Sequence, residues 1–207
     1  GTVSAVPPFV ALTGGLGAGK STALAALERL GAAVISSDAV VHELYASDDQ
    51  VRDTIVARFG ADVAPHGVID RSVLAARVFA SEDGPDTDAD RAWLEQLLWP
   101  LVRRRIVDWR AQASRRQPPP CALVVEVPLL FEAGGDDIYD ATIAVIAEEA
   151  VRDARAHARG HHAVSGRQAR QLSQEEKAAR STFVVSNEGS VGELEAKLSA
   201  ILAMLGD

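Results

Sequence analysis

"ALTGGLGAGKST", residues 11 to 22, carries four glycines, Gly14, Gly15, Gly17 and Gly19, followed by a lysine and two hydroxyl residues. Glycines at that density end a regular element, because glycine gives up more backbone freedom on ordering than any other residue. On the amino side, "FVALT" (9–13) is a short apolar run after a proline pair and reads as a buried strand. On the carboxyl side, "KSTALAALERL" (20–30) spaces its apolar residues as a helix does and stops before Gly31, a C-terminal cap. Residues 14–21 fit G-x-x-x-x-G-K-[ST] through Gly14, Gly19, Lys20 and Ser21. Strand, glycine loop and helix in that order make a cradle for a nucleotide's phosphate chain. Backbone N–H groups curl inward where a Cβ would block approach, and the helix aims its positive end at the same oxygens. Gly15, Gly17, Ala18, Gly19 and Thr22 line the cradle, Lys20 reaches the β- and γ-phosphates, and the Ser21 hydroxyl takes Mg²⁺.

Outward from the loop, strands and helices alternate. "AAVIS" (32–36) is a second strand, and "SSDAVVHELYA" (36–46) opens with capping residues and enters a helix. Helices follow over 51–59, closed by Gly60, and over 70–80, opened by Asp70; residues 81–90 read as an acidic surface loop. The long amphipathic stretch "RAWLEQLLWPLVRRRIVDW" (91–109) contains Pro100, which predicts a kink or a break. After the linker "RRQPPP" (115–120), "ALVVEV" (122–127) is the most apolar strand, with the weak alternation of a strand covered on both faces. "DATIAVIA" (140–147) is a fourth strand and "TFVVSN" (182–187) a fifth. Between them lie an Arg-rich helix (about 148–159), a Gly/His turn and a polar helix (about 166–180); a closing helix spans 190–205. The pattern predicts an α/β fold, a five-stranded parallel sheet wrapped by helices. Residues 48–113 form a helical insertion, leaving 1–47 and 114–207 as the nucleotide-binding core.

The totals exclude several classes of function. A chain of 207 residues with 47% apolar content suits one domain with an inserted subdomain. A net charge of −8 argues against general binding to nucleic acid or to an anionic membrane, so a polyanion must be held by local clusters. Cys121 is the lone cysteine, which excludes an intramolecular disulfide and a cysteine zinc cluster. With no apolar run of spanning length and no signal-like start, the expected location is a reducing cytoplasm.

Phosphate cradles serve GTPases, motors and small-molecule kinases. The chain has no N-K-x-D segment for guanine, and "LVVEVPLL" is ambiguous as a magnesium strand, Glu126 being either a group behind the metal or a strand residue facing a polar crevice. Asp38 falls where parallel sheets place ligands, just past the second strand. It either caps the next helix or faces the γ-phosphate and handles an attacking hydroxyl. Arg152, Arg155 and Arg159 share one helix face ahead of "GHHAVSG" and Arg167. They read as lid arginines that neutralise transferring charge, over about 152–180, or as a solvated face paired with Glu148, Glu149 and Asp153. His157, His161 and His162 read as exposed lid residues, Arg103, Arg104 and Arg105 as solvated, and Trp93, Trp99 and Trp109 as core. Another nucleoside or nucleotide kinase, or a nucleotide-sensing module without turnover, remains open at this stage.

The ordered set of segments resembles the dephospho-coenzyme A kinase family over about residues 9–205. The segments are "LTGGLGAGKST", "ISSDAVVHELY", "FGADV…HGVIDRSVLAARVF", "VEVPLLFE" and "RQLSQEEKAARSTFVVSNEGS", with Gln171, Lys177 and Asn187-x-Gly189 in the family's order. The resemblance implies an adenylate-kinase-like P-loop NTPase fold with a helical substrate insertion and a lid. It implies transfer of the ATP γ-phosphate, with Mg²⁺, to the ribose 3′-hydroxyl of dephospho-CoA. In that reading Asp38 addresses the acceptor, Lys20, Arg155 and Arg159 stabilise charge, Asn187 joins the ATP site, and Arg71, Pro128 and Leu129 contact dephospho-CoA. A monomer or weak homo-oligomer is expected. Ser36-Ser37-Asp38 stands where the family usually has Asp-Ala-Asp, and Trp99 where it has a histidine before Pro100.

Overall fold

In a computed structural model, which describes residues 6–79, 85–158 and 171–207, the apolar run at the amino end forms β1 (Phe9–Gly14), buried along its whole length. Four strands join it: β2 (Ala33–Ser36), β3 (Leu123–Glu126), β4 (Ala141–Ile146) and β5 (Phe183–Ser186). Every pairing is parallel and the order is β2-β3-β1-β4-β5, the five-stranded parallel sheet expected from the alternation. β1 is central, with Leu12 level with Glu126 on one side and Ile143 on the other.

The helices are α1 (Lys20–Arg29), α2 (Ser37–Ser47), α3 (Asp49–Phe59), α4 (Arg71–Phe79), α5 (Pro85–Ala113), α6 (Glu149–Ala158), α7 (Gln174–Arg180) and α8 (Val191–Leu205). Side chains alternate across a strand. Val10 and Leu12 therefore enter one layer, with Leu27 of α1 and Leu194, Leu198 and Ile201 of α8, while Ala11 enters the other, with Leu130 and Phe131. At the end of α1, Gly31 takes φ 101°. The Gly31 N–H donates to Glu28 O and the Ala32 N–H to Leu27 O, 3.0 Å each, which satisfies the last carbonyls and turns the chain into β2.

Two compact units divide the chain: Gly1–Ser36 with Trp109–Asp207, and Ser37–Asp108. The first carries the sheet with α1, α6, α7 and α8. The second is helical, with Val40, Leu44, Val51, Ile55, Val63, Leu74 and Val78 buried. It starts at Ser37 rather than 48 because α2, which buries Val40, Leu44 and Tyr45, groups with α3 rather than with the sheet, and it ends at Asp108, inside α5. Asp70 caps α4 as expected, its Oδ1 accepting from the N–H groups of Ser72 (3.0 Å) and Val73 (3.1 Å), and α3 starts two residues earlier than read, with Asp48 Oδ1 accepting from the Val51 N–H (3.0 Å).

Two expectations fail in α5. Pro100 does not break it; the helix runs on through 29 residues. A proline at 100 frees the Gln96 carbonyl, and Gln96, Trp99 and Pro100 are exposed, so water can satisfy that oxygen. Helix begins at Pro85, inside the stretch 81–90 read as an acidic loop, and proline suits a first helical position; residues 80–84 lie outside the described residues. Among the described residues no helix is long and apolar enough to cross a membrane. Arg159, the turn after it and Arg167 lie outside the described residues.

Candidate active site

The loop from β1 to α1 explains its own glycines. Gly17 and Gly19 have φ of 72° and 97°, the left-handed region. A Cβ on Gly17 would collide with the Arg152 backbone carbonyl in α6, one on Gly19 with the Asn187 side chain, and one on Gly14 with the Val145 carbonyl. Neighbouring elements thus approach the loop at backbone distance.

Donors hold the loop's carbonyls. Arg155 Nη1 donates to Ala18 O (3.2 Å) and Gly17 O (3.4 Å), and its Nη2 to Asn187 O (3.1 Å). The Asn187 side chain, buried, donates from Nδ2 to Ala18 O (2.9 Å). Lys20 Nζ donates to Gly15 O (2.9 Å) and Gly14 O (3.3 Å). In a trans peptide C=O and N–H point opposite ways, so fixing Gly14 O and Ala18 O aims the N–H groups of Gly15 and Gly19 away from these donors. Gly19 caps α1 and has no side chain to satisfy its first turn, which leaves those donors for an anion. Ser21 is exposed and Thr22 half-buried in that turn. Beside it lies a cleft of about 240 Å³ lined by Gly19, Thr22, Arg155, Asn187, Gly189 and Val191. A larger hollow, about 760 Å³, lies in the helical unit beside Thr54, Arg58 and Trp93. Among its described lining residues the cation, Arg58, is already paired with Asp90 (2.8 Å) and stacked on Trp93 (4.7 Å).

Pro128 and Leu129, half-buried, follow β3. Pro128 O accepts from Lys177 Nζ (2.9 Å) and from the Thr13 hydroxyl (3.3 Å). Lys177, in α7, is fully buried, with Gly14 O at 3.3 Å and Glu132 Oε2 at 3.3 Å. Burial pulls its pKa below the usual lysine value, and the Glu132 charge opposes the shift. Gln174 clamps the residue after β4, donating to Ala147 O (2.8 Å) and accepting from its N–H (3.1 Å). Sequence reasoning passed over Thr13, Glu132 and Gln174 and used Lys177 only as one member of a resembling series. Its signal was a lysine just inside a Ser173-x-x-Glu176 capping box in a chain with only three lysines.

Within the helical unit, α2 starts at Ser37, so Asp38 is its second residue and not its cap, and it is exposed. Asp38, His42 and Tyr45 stand at i, i+4 and i+7 on one helix face. Arg71, first in α4, places Nη1 3.0 Å from His42 Nδ1. Arginine always donates, so Nδ1 accepts and the proton of a neutral ring sits on Nε2. Burial pushes the Tyr45 phenol up to about 12, against the nearby Arg71 charge.

Other expectations resolve individually. Arg155 is not on a solvated face, given its three carbonyl partners. Arg103 and Arg104 are exposed, and Arg105 pairs with Glu43 (2.7 Å). Trp99 is 43% exposed and so is not core, because the α5 face beside Pro100 is open. Trp93 packs edge-on against Phe59. Among the described residues no group of three or more His, Cys, Asp or Glu gathers to hold a metal. Arg159 lies outside them.

The chain matches the family model described as CoaE, dephospho-CoA kinase, over residues 8–193. It is 36% identical over 194 residues to the dephospho-CoA kinase of Protochlamydia amoebophila, covering 91% of this chain and 92% of that one. The fold matches the crystal structure of TT1252 from Thermus thermophilus, with a TM-score of 0.76, 32% identity and coverage of 96% and 98%. It also matches a dephospho-CoA kinase from Campylobacter jejuni, with a TM-score of 0.62, 21% identity and coverage of 97% and 98%; that likeness speaks to fold alone.

Proposed function

The chain belongs to the dephospho-CoA kinase family, and from that premise we propose that it transfers the γ-phosphate of ATP to the ribose 3′-hydroxyl of dephospho-CoA, giving CoA and ADP. The observation that carries the reading is the glycine loop, held from outside by its carbonyls and opening onto an uncapped helix start.

In this reading the N–H groups of Gly15 and of residues 17–22 take the ATP phosphates, and the nucleoside occupies the cleft beside Thr22 and Asn187. Lys20 exchanges Gly14 O and Gly15 O for phosphate oxygens, since charge-assisted hydrogen bonds are about twice as strong as bonds to neutral carbonyls. Arg155, resting on Ala18 O, stabilises charge on the transferring group, and Arg159 shares that role by family resemblance. Asp38 orients the 3′-hydroxyl and accepts its proton, which its exposure permits. Arg71 and the Pro128–Leu129 turn contact dephospho-CoA, and the helical unit serves as the acceptor subdomain. Mg²⁺ fits the exposed Ser21 hydroxyl, because that ion is commonly held by one or two protein groups together with phosphates and water. When bound it neutralises phosphate charge. A monomer or weak homo-oligomer in the cytoplasm completes the reading.

The test incubates the purified chain with ATP, Mg²⁺ and dephospho-CoA and follows CoA by mass and ADP by a coupled assay. Stoichiometric CoA and ADP are expected. Preference for another nucleoside or nucleotide acceptor, or ATP binding without product, would overturn the assignment.

A further inference from the structure

We infer that Lys177 is a positioning residue for this reaction: its buried ammonium pins the first peptide of the phosphate loop to the Pro128 turn, fixing one in register with the other. The inference rests on the kinase reading above.

A fully buried lysine is rare, and its desolvation is tolerable only when the donors are satisfied. Lys177 Nζ donates to two carbonyls, Pro128 O at 2.9 Å and Gly14 O at 3.3 Å, and is ion-paired with Glu132 Oε2 at 3.3 Å. Both Glu132 oxygens are buried and, among the described residues, have no hydrogen-bond partner beyond that ion pair. The carboxylate therefore serves as counter-charge, and the two carbonyls are the groups positioned.

The pin stands on a fixed base. Ser173 and Glu176 cap α7 reciprocally, Gln174 ties it to Ala147, and the Lys177 carbonyl accepts from the Ser181 hydroxyl (2.8 Å). Gly14 O also accepts from Lys20, which the proposed mechanism draws toward phosphate. Lys177 is buried, so it stays. It then holds the Gly14–Gly15 peptide against rotation while the Gly15 N–H is needed on the phosphate side. Its second carbonyl belongs to Pro128, in the turn assigned to the acceptor. One cation thus joins the donor loop and the acceptor turn.

The test compares Lys177→Met and the double variant Lys177→Met/Glu132→Met with wild type in the full chain. Replacing a buried ion pair by apolar side chains of similar volume is commonly near neutral for stability, so the double variant is expected to fold. Steady-state kinetics with varied ATP are expected to show KM raised about tenfold, with a smaller fall in kcat per folded enzyme. A residue that only supports the fold would reduce the active fraction, lowering apparent kcat and leaving KM unchanged. A folded double variant with wild-type KM for ATP overturns the inference. Failure of both variants to fold overturns it too, by making Lys177 a determinant of folding alone. A wild type that makes no CoA would instead overturn the kinase reading.

Discussion

Replacing Gly17 by alanine separates two costs that the structure places on one position. The first is conformational: at φ 72° an L-residue costs about 1 to 2 kcal/mol. For a chain of this length each kcal/mol lowers the melting midpoint by roughly 2 to 4 °C. The second is steric and local, because the new Cβ meets the Arg152 carbonyl and either α6 or the loop must yield. Movement of the loop displaces N–H groups meant for phosphate, and movement of α6 displaces Arg155. Losing one or two charge-assisted hydrogen bonds, about 1.5 to 3 kcal/mol each, weakens ATP binding by about 10- to 100-fold or more. Gly134→Ala is the control: φ is 66° and nothing lies within 4 Å of the added Cβ, so it bears only the conformational cost. Isothermal titration with ATP and Mg²⁺, alongside thermal melts, reads both quantities. Gly134→Ala is expected to melt lower and bind normally, and Gly17→Ala to melt lower and bind poorly. Gly17→Ala binding ATP within about threefold of the control would refute the steric argument.

Asp38→Ala is expected to retain ATP affinity and lose about 10²- to 10⁴-fold in turnover; near-normal rates in a coupled ADP assay would remove Asp38 from the chemistry. Arg155→Ala gives up three carbonyl contacts and is expected to cut kcat about 10²-fold, more than it weakens ATP affinity. An unchanged rate would make Arg155 a structural strap. The two tyrosines, Tyr45 and Tyr139, both have phenols pushed up to about 12 by burial from a usual value near 10. Above pH 10 the unfolded chain releases protons that the folded chain keeps, so stability is unaffected below that pH and falls as pH rises through about 12. Phenolate absorbance of the folded chain rising near 10 would contradict the burial argument.

What the sequence made legible was local. The glycine spacing, the apolar run before it and the helix after it all speak within a dozen residues, and caps such as Asp70 and Gly31 announce themselves by residue type. Strand order was not readable that way: β1 lies between β3 and β4 through pairings that no nearby residue encodes. Pro100 misled because a rule for helix interiors meets an open face, where a freed carbonyl costs little. At the site, Lys20, Ser21 and the glycines are named by their motif, but the groups holding the loop in shape are tertiary. Lys177 reaches Gly14 across 163 residues and Asn187 reaches Ala18 across 169, so no local pattern names their partners, even where the scarcity of lysine marks Lys177. Asp38 was singled out by its place after β2, and the structure places it as the exposed second residue of α2 rather than at the cap.

The central place of β1 also has a meaning for biosynthesis. The Phe9 N–H finds its carboxylate partner at Asp140, 131 residues later, and both neighbouring strands emerge from the ribosome after the whole helical insertion. Domains tend to form as units during translation, and pairings distant along the chain wait for their partners. The helical insertion is therefore complete while β1 is still an unpaired apolar segment in want of shielding. A nascent chain cannot grip nucleotide until its last third has been made.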